Sequence, residues 1–240
     1  MSAFSESFAA AFAMLLDADP VLMQTLRLSL LVSGSACLIA AGFGFAAGAW
    51  VAVTRFPGHR LLQGFLSTLL ALPSVVVGLV VYLLLSRSGP LGAWGILFTP
   101  AAMVLAQTVL VLPVIAALAQ QLVRDALRDG GEQLRSMGAK PFTAACLMLV
   151  HERWAVLTIM LTAFGRAISE VGAVMIVGGN IDGLTRVITT AIALETSKGD
   201  LPLALALGLV LLGLVALINL LIALVQAWQR MHGGQSEYAK

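Results

Sequence analysis

The chain has 240 residues, 60% of them hydrophobic and 11% charged, with a mean hydropathy of +0.98 and a formal net charge of +2. A soluble domain carries about 25% charged residues, so this much apolar surface needs lipid to cover it. The small positive balance gives no nucleic-acid-binding face, and Cys37 and Cys146, far apart and without CxxC spacing, read as two free thiols.

Residues 1–20, "MSAFSESFAAAFAMLLDADP", contain no Lys or Arg and only a short apolar run. They predict an interfacial segment ending near Asp17, Asp19 and Pro20 rather than a cleavable signal. Stretches of about 20 apolar residues then predict five spans, at 25–53, 61–86, 95–121, 154–179 and 202–228. The expected fold is an all-α integral membrane protein, with a transmembrane domain over 21–230 and a tail over 231–240. In the first span, "GFGFAAG" imitates a nucleotide-binding glycine loop, but no strand precedes it. Gly44 and Gly48, four apart, instead predict close approach of a second helix. Pro73 and Pro113 each remove an intrahelical hydrogen bond, as a fixed kink or as a hinge.

Between the third and fourth spans lies the longest polar connection, about 122–153. Gly130 and Gly131 are expected to stop one helix, a short segment follows from Glu132 to Met137, and Gly138 ends it in the left-handed conformation. Pro141 suits the first turn of the next helix. This segment reads as a solvated connector or as a docking element for a soluble partner. "HERWA" lacks the second His of a zinc-protease motif, since Ala155 stands there. No GxxxxGK[ST] stretch occurs, so the chain has no visible means of hydrolysing ATP, and no residues are assigned as catalytic or metal-binding.

The fourth span contains "FGRAISEVGAVMIVGGN", with Arg166 and Glu170 one helical turn apart. A lone charge at a span's centre costs about 2.5–3.5 kcal/mol on insertion scales. At i and i+4 the two charges are expected to meet on one helix face, which must point away from lipid, as a clamp between helices or as a gate. Ser169, Gly165, Gly172, Gly178, Gly179 and Asn180 add small or polar positions on the same span. Beyond it, a connector of about 180–201 carries Thr185, Arg186, Thr189 and Thr190 and predicts a partly re-entrant helix, with Asp200 capping the fifth span and Pro202 in its first turn.

Cytoplasmic loops are enriched in Lys and Arg. Placing the 122–153 loop in the cytoplasm puts Arg55, Arg60, Arg124, Arg128, Arg135, Lys140, Arg153, Arg230 and Lys240 on that side, against Arg87, Arg186 and Lys198 outside. Arg27 and Arg166 fall within spans. The N-terminus is therefore expected outside and the C-terminus inside.

"EQLRSMG", Glu132 to Gly138, resembles the EAA loop of bacterial ABC-importer permeases, although Gln133 and Leu134 replace the alanines and His151 stands where a proline is expected. "LALPSVVVGLVVYLLLSRSGPLGAWGILFTPAAMVLAQTVLVLP" and "FGRAISEVGAVMIVGGNIDGLTRVITTAIALETSKGD" resemble the permease subunits of tungstate ABC importers, relatives of the molybdate and sulfate permeases. The resemblance implies a type I importer permease in the bacterial cytoplasmic (inner) membrane, acting as a homodimer. Its implied partners are two cytoplasmic ATPases, which hold the ATP and magnesium, and a periplasmic or lipid-anchored oxyanion-binding protein. Glu132, Gln133, Leu134, Gly138 and Ala139 would couple to the ATPase. Arg166, Ser169, Glu170, Gly172 and Asn180 would line or gate the path, and Thr185, Arg186 and Thr189 would face the binding protein. Alternatives within the class are molybdate or sulfate permeases; outside it they are a secondary transporter driven by an ion gradient and a membrane scaffold.

Overall fold

The computed structural model describes residues 8, 9, 13, 20–54 and 57–233. The predicted interfacial segment over 1–20 and residues 234–240 of the predicted tail lie essentially outside them. From Pro20 onward the described residues form nine α-helices and one short 3-10 turn: α1 (Pro20–Val53), α2 (His59–Leu70), α3 (Ser74–Leu85), the 3-10 turn Gly92–Trp94, α4 (Pro100–Ser136), α5 (Pro141–His151), α6 (Arg153–Ile168), α7 (Gly172–Gly178), α8 (Ile188–Lys198) and α9 (Leu201–Gly233). No strand occurs among the described residues.

Three helices, α1, α4 and α9, are long and apolar enough to cross a membrane. Two bent pairs reach five spans if each pair counts as one: Leu61–Leu70 with Ser74–Leu85, bent by 97°, and Pro141–His151 with Arg153–Ile168, bent by 79°. The first bend falls at Pro73, as the sequence predicts. Pro73 lacks an amide hydrogen and its ring disfavours a helical conformation in the residue before it. Its carbonyl accepts from Val76 and Val77, starting α3 in the new direction. Pro113, by contrast, lies inside α4 without ending it.

The chain divides into two compact units. The first comprises Met1–Ala36, Pro73–Leu110 and Gly165–Leu217. Its core gathers Leu22 of α1, Ile188 and Ala191 of α8, and Ala206 and Leu207 of α9. Within it α3 lies against α7. A Cβ on Gly78 would come within 2.8 Å of the Ala173 backbone, and one on Gly172 within 2.8 Å of both Ser74 and Val75.

The second unit comprises Cys37–Leu72, Val111–Phe164 and Ile218–Lys240. Ala49 of α1, Val123 of α4 and Ala145 of α5 form its buried cluster, flanked by Leu127 and Leu149. The predicted small-residue contact is present. A Cβ on Gly48 would approach the Ala116 carbonyl oxygen to 2.5 Å, and one on Gly44 would meet Ile115 at 2.9 Å. Trp154 and Trp228 stack edge to face at 4.5 Å between ring centroids.

Two sequence expectations need correction. Gly130 and Gly131 do not stop a helix, because α4 runs through them to Ser136. Two glycines cost a helix about 1 kcal/mol each relative to alanine, which neighbouring turns on both sides outweigh. The second correction concerns the fourth span, predicted as one helix over 154–179. It breaks between Ile168 and Gly172, and at about 1.5 Å per residue the seven-residue α7 reaches only about 10 Å.

Candidate functional site

The break between α6 and α7, in the first unit, is built from side chains that satisfy the backbone the helix abandons. Ser169 donates its hydroxyl to the Gly165 carbonyl at 2.9 Å. The buried Gln107 of α4 donates Nε2 to the Ala167 carbonyl at 2.9 Å, and Thr189 of α8 donates its hydroxyl to the Glu170 carbonyl at 2.8 Å. Glu170 Oε1 accepts from the amides of Val171 at 3.1 Å and Gly172 at 3.0 Å, so its negative charge meets the first free N–H groups of α7. Non-helical backbone survives at membrane depth only where such partners exist.

Arg166, in the last turn of α6, has an exposed side chain. It is neither ion-paired nor hydrogen-bonded to any described residue. The expected Arg166–Glu170 ion pair does not form. Once the helix ends at Ile168, the i to i+4 relationship no longer places Glu170 above Arg166, and the carboxylate is engaged by backbone amides instead.

At its other end α7 closes on Gly179, left-handed at φ +70°, whose amide donates to Met175 O. The Phe98 ring lies 2.8 Å from where a Gly179 Cβ would stand, and the Phe98 amide donates to Val177 O at 3.0 Å. Phe98 itself has a φ of +61°, an uncommon conformation for a side-chain-bearing residue, and its ring meets Tyr82 edge to face at 6.1 Å. Asn180, at φ +51°, donates Nδ2 to Thr190 O at 3.3 Å, while its Oδ1 is buried without a partner.

Around the following turn, Thr185 is fully buried; its hydroxyl donates to Gly178 O at 2.6 Å and accepts from the Ile181 amide at 2.9 Å. Arg186 pairs with Asp182 at 2.9 Å. The first turn of α8 is tied to α1 by the Ile188 amide donating to Ser29 Oγ at 2.8 Å. Asp200 Oδ1 accepts from the Leu203 amide at 3.2 Å, capping α9 as predicted.

In the second unit, the Glu132–Ala139 stretch forms the end of α4 and the turn after it. The Ala139 amide donates to Leu134 O at 3.0 Å and the Met137 amide to Gln133 O at 3.1 Å. Gly138 is left-handed at φ +79°, and Pro141 begins α5, both as predicted. Glu132, Gln133, Gly138 and Met137 are exposed, Met137 by 83%; Leu134 and Ala139 are half-buried. Alongside, α5 turns Phe142 and Leu147 outward while Ala144 and Ala145 are buried.

No family model matches the chain. It is 42% identical over 226 residues to the tungstate uptake system permease protein TupB of Peptoclostridium acidaminophilum, covering 94% of this chain and 99% of that one. A probable anion ABC transporter permease protein of Haloferax volcanii is also 42% identical, over 83% of this chain and 88% of its own. The sulfate transport system permease protein CysW of Escherichia coli is 30% identical over 88% of this chain and 75% of its own. The chain belongs to the anion permease family of ABC transporters. It is a multi-pass membrane permease subunit, and its several apolar helices are the expected bulk of such a subunit.

The permease gathers the predicted path residues Arg166, Ser169, Glu170 and Gly172 at the helix break, with Asn180 at the far end of α7. Thr185 and Thr189 are placed differently from expectation. Both are buried and spend their hydroxyls on backbone carbonyls, so neither presents a surface to another protein. Arg186, expected to face the binding protein, is ion-paired with Asp182 of the same chain. Gln107 escaped the sequence reading. A buried glutamine in an apolar span was its only signal, and only the fold shows that its amide reaches the broken helix.

Proposed function

We propose that this permease imports tungstate as a homodimer, with its N-terminus outside, its 122–153 segment in the cytoplasm and ATP hydrolysis in two partner ATPases that hold ATP and magnesium. The 42% identity to a tungstate uptake permease over nearly the whole of both chains carries the substrate reading; identity to the sulfate permease is lower. A tetrahedral dianion must pass without being trapped, which favours weak, distributed donors over a deep arginine cluster.

Arg166 supports the dimer. An exposed, unpaired guanidinium beside a helix break is costly against lipid, and a second copy across a water-filled path removes that cost. Glu170 leaves it unneutralised, so its charge is available to a passing anion. In the second unit, the exposed Glu132, Gln133, Met137 and Gly138, with α5 bent away from α6 by 79°, suit an element that a cytoplasmic ATPase grips. ATPase closure then moves α5 and opens the path to a binding protein outside; hydrolysis resets it.

The test is reconstitution of the permease with its ATPase and binding protein in vesicles. Tungstate uptake is expected to require ATP and binding protein, to persist when proton and sodium gradients are collapsed, and to exceed molybdate and sulfate uptake when tungstate-loaded binding protein is supplied. Uptake that follows an ion gradient without ATP would overturn the importer reading.

A further inference from the structure

In the second unit a cavity of about 400 Å³ lies where the end of α1, the later part of α4 and the start of α5 meet. Val53 and Thr54 border it on one side, Arg124, Leu127 and Arg128 on another and Pro141 on the third. Positions 124, 127 and 128 share one helix face, and none of the described residues lining the cavity is acidic. Both arginines also border the α2 side of α4, where Asp125 stands. Asp125 meets Arg128 at 3.6 Å between largely exposed side chains, a contact worth little. Arg124 makes no ion pair or hydrogen bond with any described residue.

The depth of the cavity follows from the helices that line it. The apolar stretch of α4, Pro100–Arg128, has 29 residues. At about 1.5 Å each it is about 43 Å long, which matches a bilayer of about 40–45 Å with its headgroups and exceeds the hydrocarbon core of about 30 Å. Arg124 and Arg128, at its end, therefore stand at headgroup level. The apolar α1 ends at the same cavity, at Val53. Trp50, one turn earlier, is 49% exposed, as suits an indole at a membrane boundary.

Basic pockets between membrane helices at this level take anionic lipid headgroups, and a guanidinium can engage two phosphate oxygens at once. The apolar Val53 and Leu127 stand beside the charges, which suits an amphiphile better than a free ion. We propose that the cavity holds the phosphodiester headgroup of an anionic phospholipid, with Arg124 and Arg128 on its phosphate and Val53 and Leu127 against its glycerol end. Ala139, in the turn after α4, borders the same cavity. The exposed Gln133, by contrast, lies about 180° around α4 from Arg124. The lipid braces that turn from behind and leaves its outer side open to a protein.

The test uses the full-length permease, stripped of lipid in mild detergent and titrated with micromolar phosphatidylglycerol or phosphatidylethanolamine. Native mass spectrometry counts the lipid retained, and a thermal assay follows stability. One phosphatidylglycerol per chain is expected to be held where phosphatidylethanolamine is not, and to raise the melting temperature. Arg124→Gln with Arg128→Gln should cut retention about tenfold and remove the gain in melting temperature, whereas Arg124→Lys with Arg128→Lys should keep part of both. Arg87→Gln, far from the cavity in sequence and in the first unit, should change neither.

Equal retention of the two lipids, or retention that survives the glutamine pair, would overturn the site. So would displacement of phosphatidylglycerol by millimolar inorganic phosphate or tungstate, which would make it a free-anion site, or by added ATPase, which would make it part of that partner's seat. If the glutamine pair does not fold, the comparison of the two lipids on the unaltered chain and on the lysine pair still decides.

Discussion

Gln107 Nε2 donates to the carbonyl oxygen of Ala167 across 2.9 Å, from the middle of one helix to the broken end of another. Both groups are buried, and Gln107 Oε1 has no partner. Gln107→Leu keeps the bulk but removes the interhelical donor, so the Ala167 carbonyl keeps only the longer bond from the Glu170 amide at 3.2 Å. Interhelical hydrogen bonds in membranes average about 0.6 kcal/mol and reach about 1.7, so the variant is expected to unfold measurably earlier in a thermal aggregation assay. Uptake should fall more than stability does, because the end of α6 that presents Arg166 loses its anchor. Unchanged melting and unchanged uptake together would mean that the bond contributes nothing.

Charge reversal at Arg166 and Glu170 has an outcome fixed by the cap. If the two residues worked as an ion pair, Arg166→Glu combined with Glu170→Arg would recover the uptake that each single variant loses. The Glu170 carboxylate instead holds two backbone amides, and an arginine there offers them no acceptor. The double variant is therefore expected to be no better than the worse single one. Glu170→Gln keeps an acceptor oxygen and should retain most stability, whereas Glu170→Ala should lose about 0.5–2 kcal/mol, the usual range for an N-terminal cap. Vesicle uptake and melting temperatures on the five variants decide between the two accounts.

The apolar lengths, the bend at Pro73, the left-handed Gly138 and the Asp200 cap were all legible in the sequence, because each follows from a local rule: burial in lipid, a missing amide hydrogen, the absence of a Cβ, a short acidic side chain before a helix. The break after Ile168 was not. Nothing within "FGRAISEVGAVMIVGGN" forbids a helix strongly enough, and the partners that make the break tolerable, Gln107 and Thr189, come from distant parts of the chain. The same reasoning explains Thr185 and Thr189. Hydroxyls in a polar connector suggest a surface, yet here they answer the carbonyls that α7 and the break leave open. The helical run through Gly130 and Gly131 failed for the opposite reason, since a local penalty was given more weight than the helix on either side.

Glycine substitutions in α1 separate packing from propensity. A Cβ on Gly48 would stand 2.5 Å from the Ala116 carbonyl oxygen, while one on Gly42 meets nothing within 4 Å. Gly48→Ala must push α1 and α4 apart and is expected to cost about 1–3 kcal/mol, as overpacking does. Gly42→Ala removes up to about 1 kcal/mol of helix penalty and should be neutral or stabilising. Melting temperatures in detergent should move in opposite directions. A Gly48→Ala variant as stable as Gly42→Ala would contradict the close approach.

Met137 is the most telling position for the proposed ATPase contact. It is 83% exposed, the most exposed of the large hydrophobic side chains among the described residues, and it stands next to a left-handed glycine just after α4, so a partner gripping this turn would cover it. Met137→Asp leaves the backbone and the buried cluster of Ala49, Val123 and Ala145 untouched, so membrane insertion and melting should be unchanged. The amount of ATPase that co-purifies should drop about tenfold, a change of about 1.4 kcal/mol in association. Gly138→Ala acts differently: a Cβ at φ +79° costs roughly 1–2 kcal/mol wherever it occurs, so it should lower both stability and ATPase yield. A Met137→Asp permease that retains its full complement of ATPase would move the docking element elsewhere, to the outward Phe142 and Leu147 of α5, and Phe142→Asp would then be the variant that releases the partner.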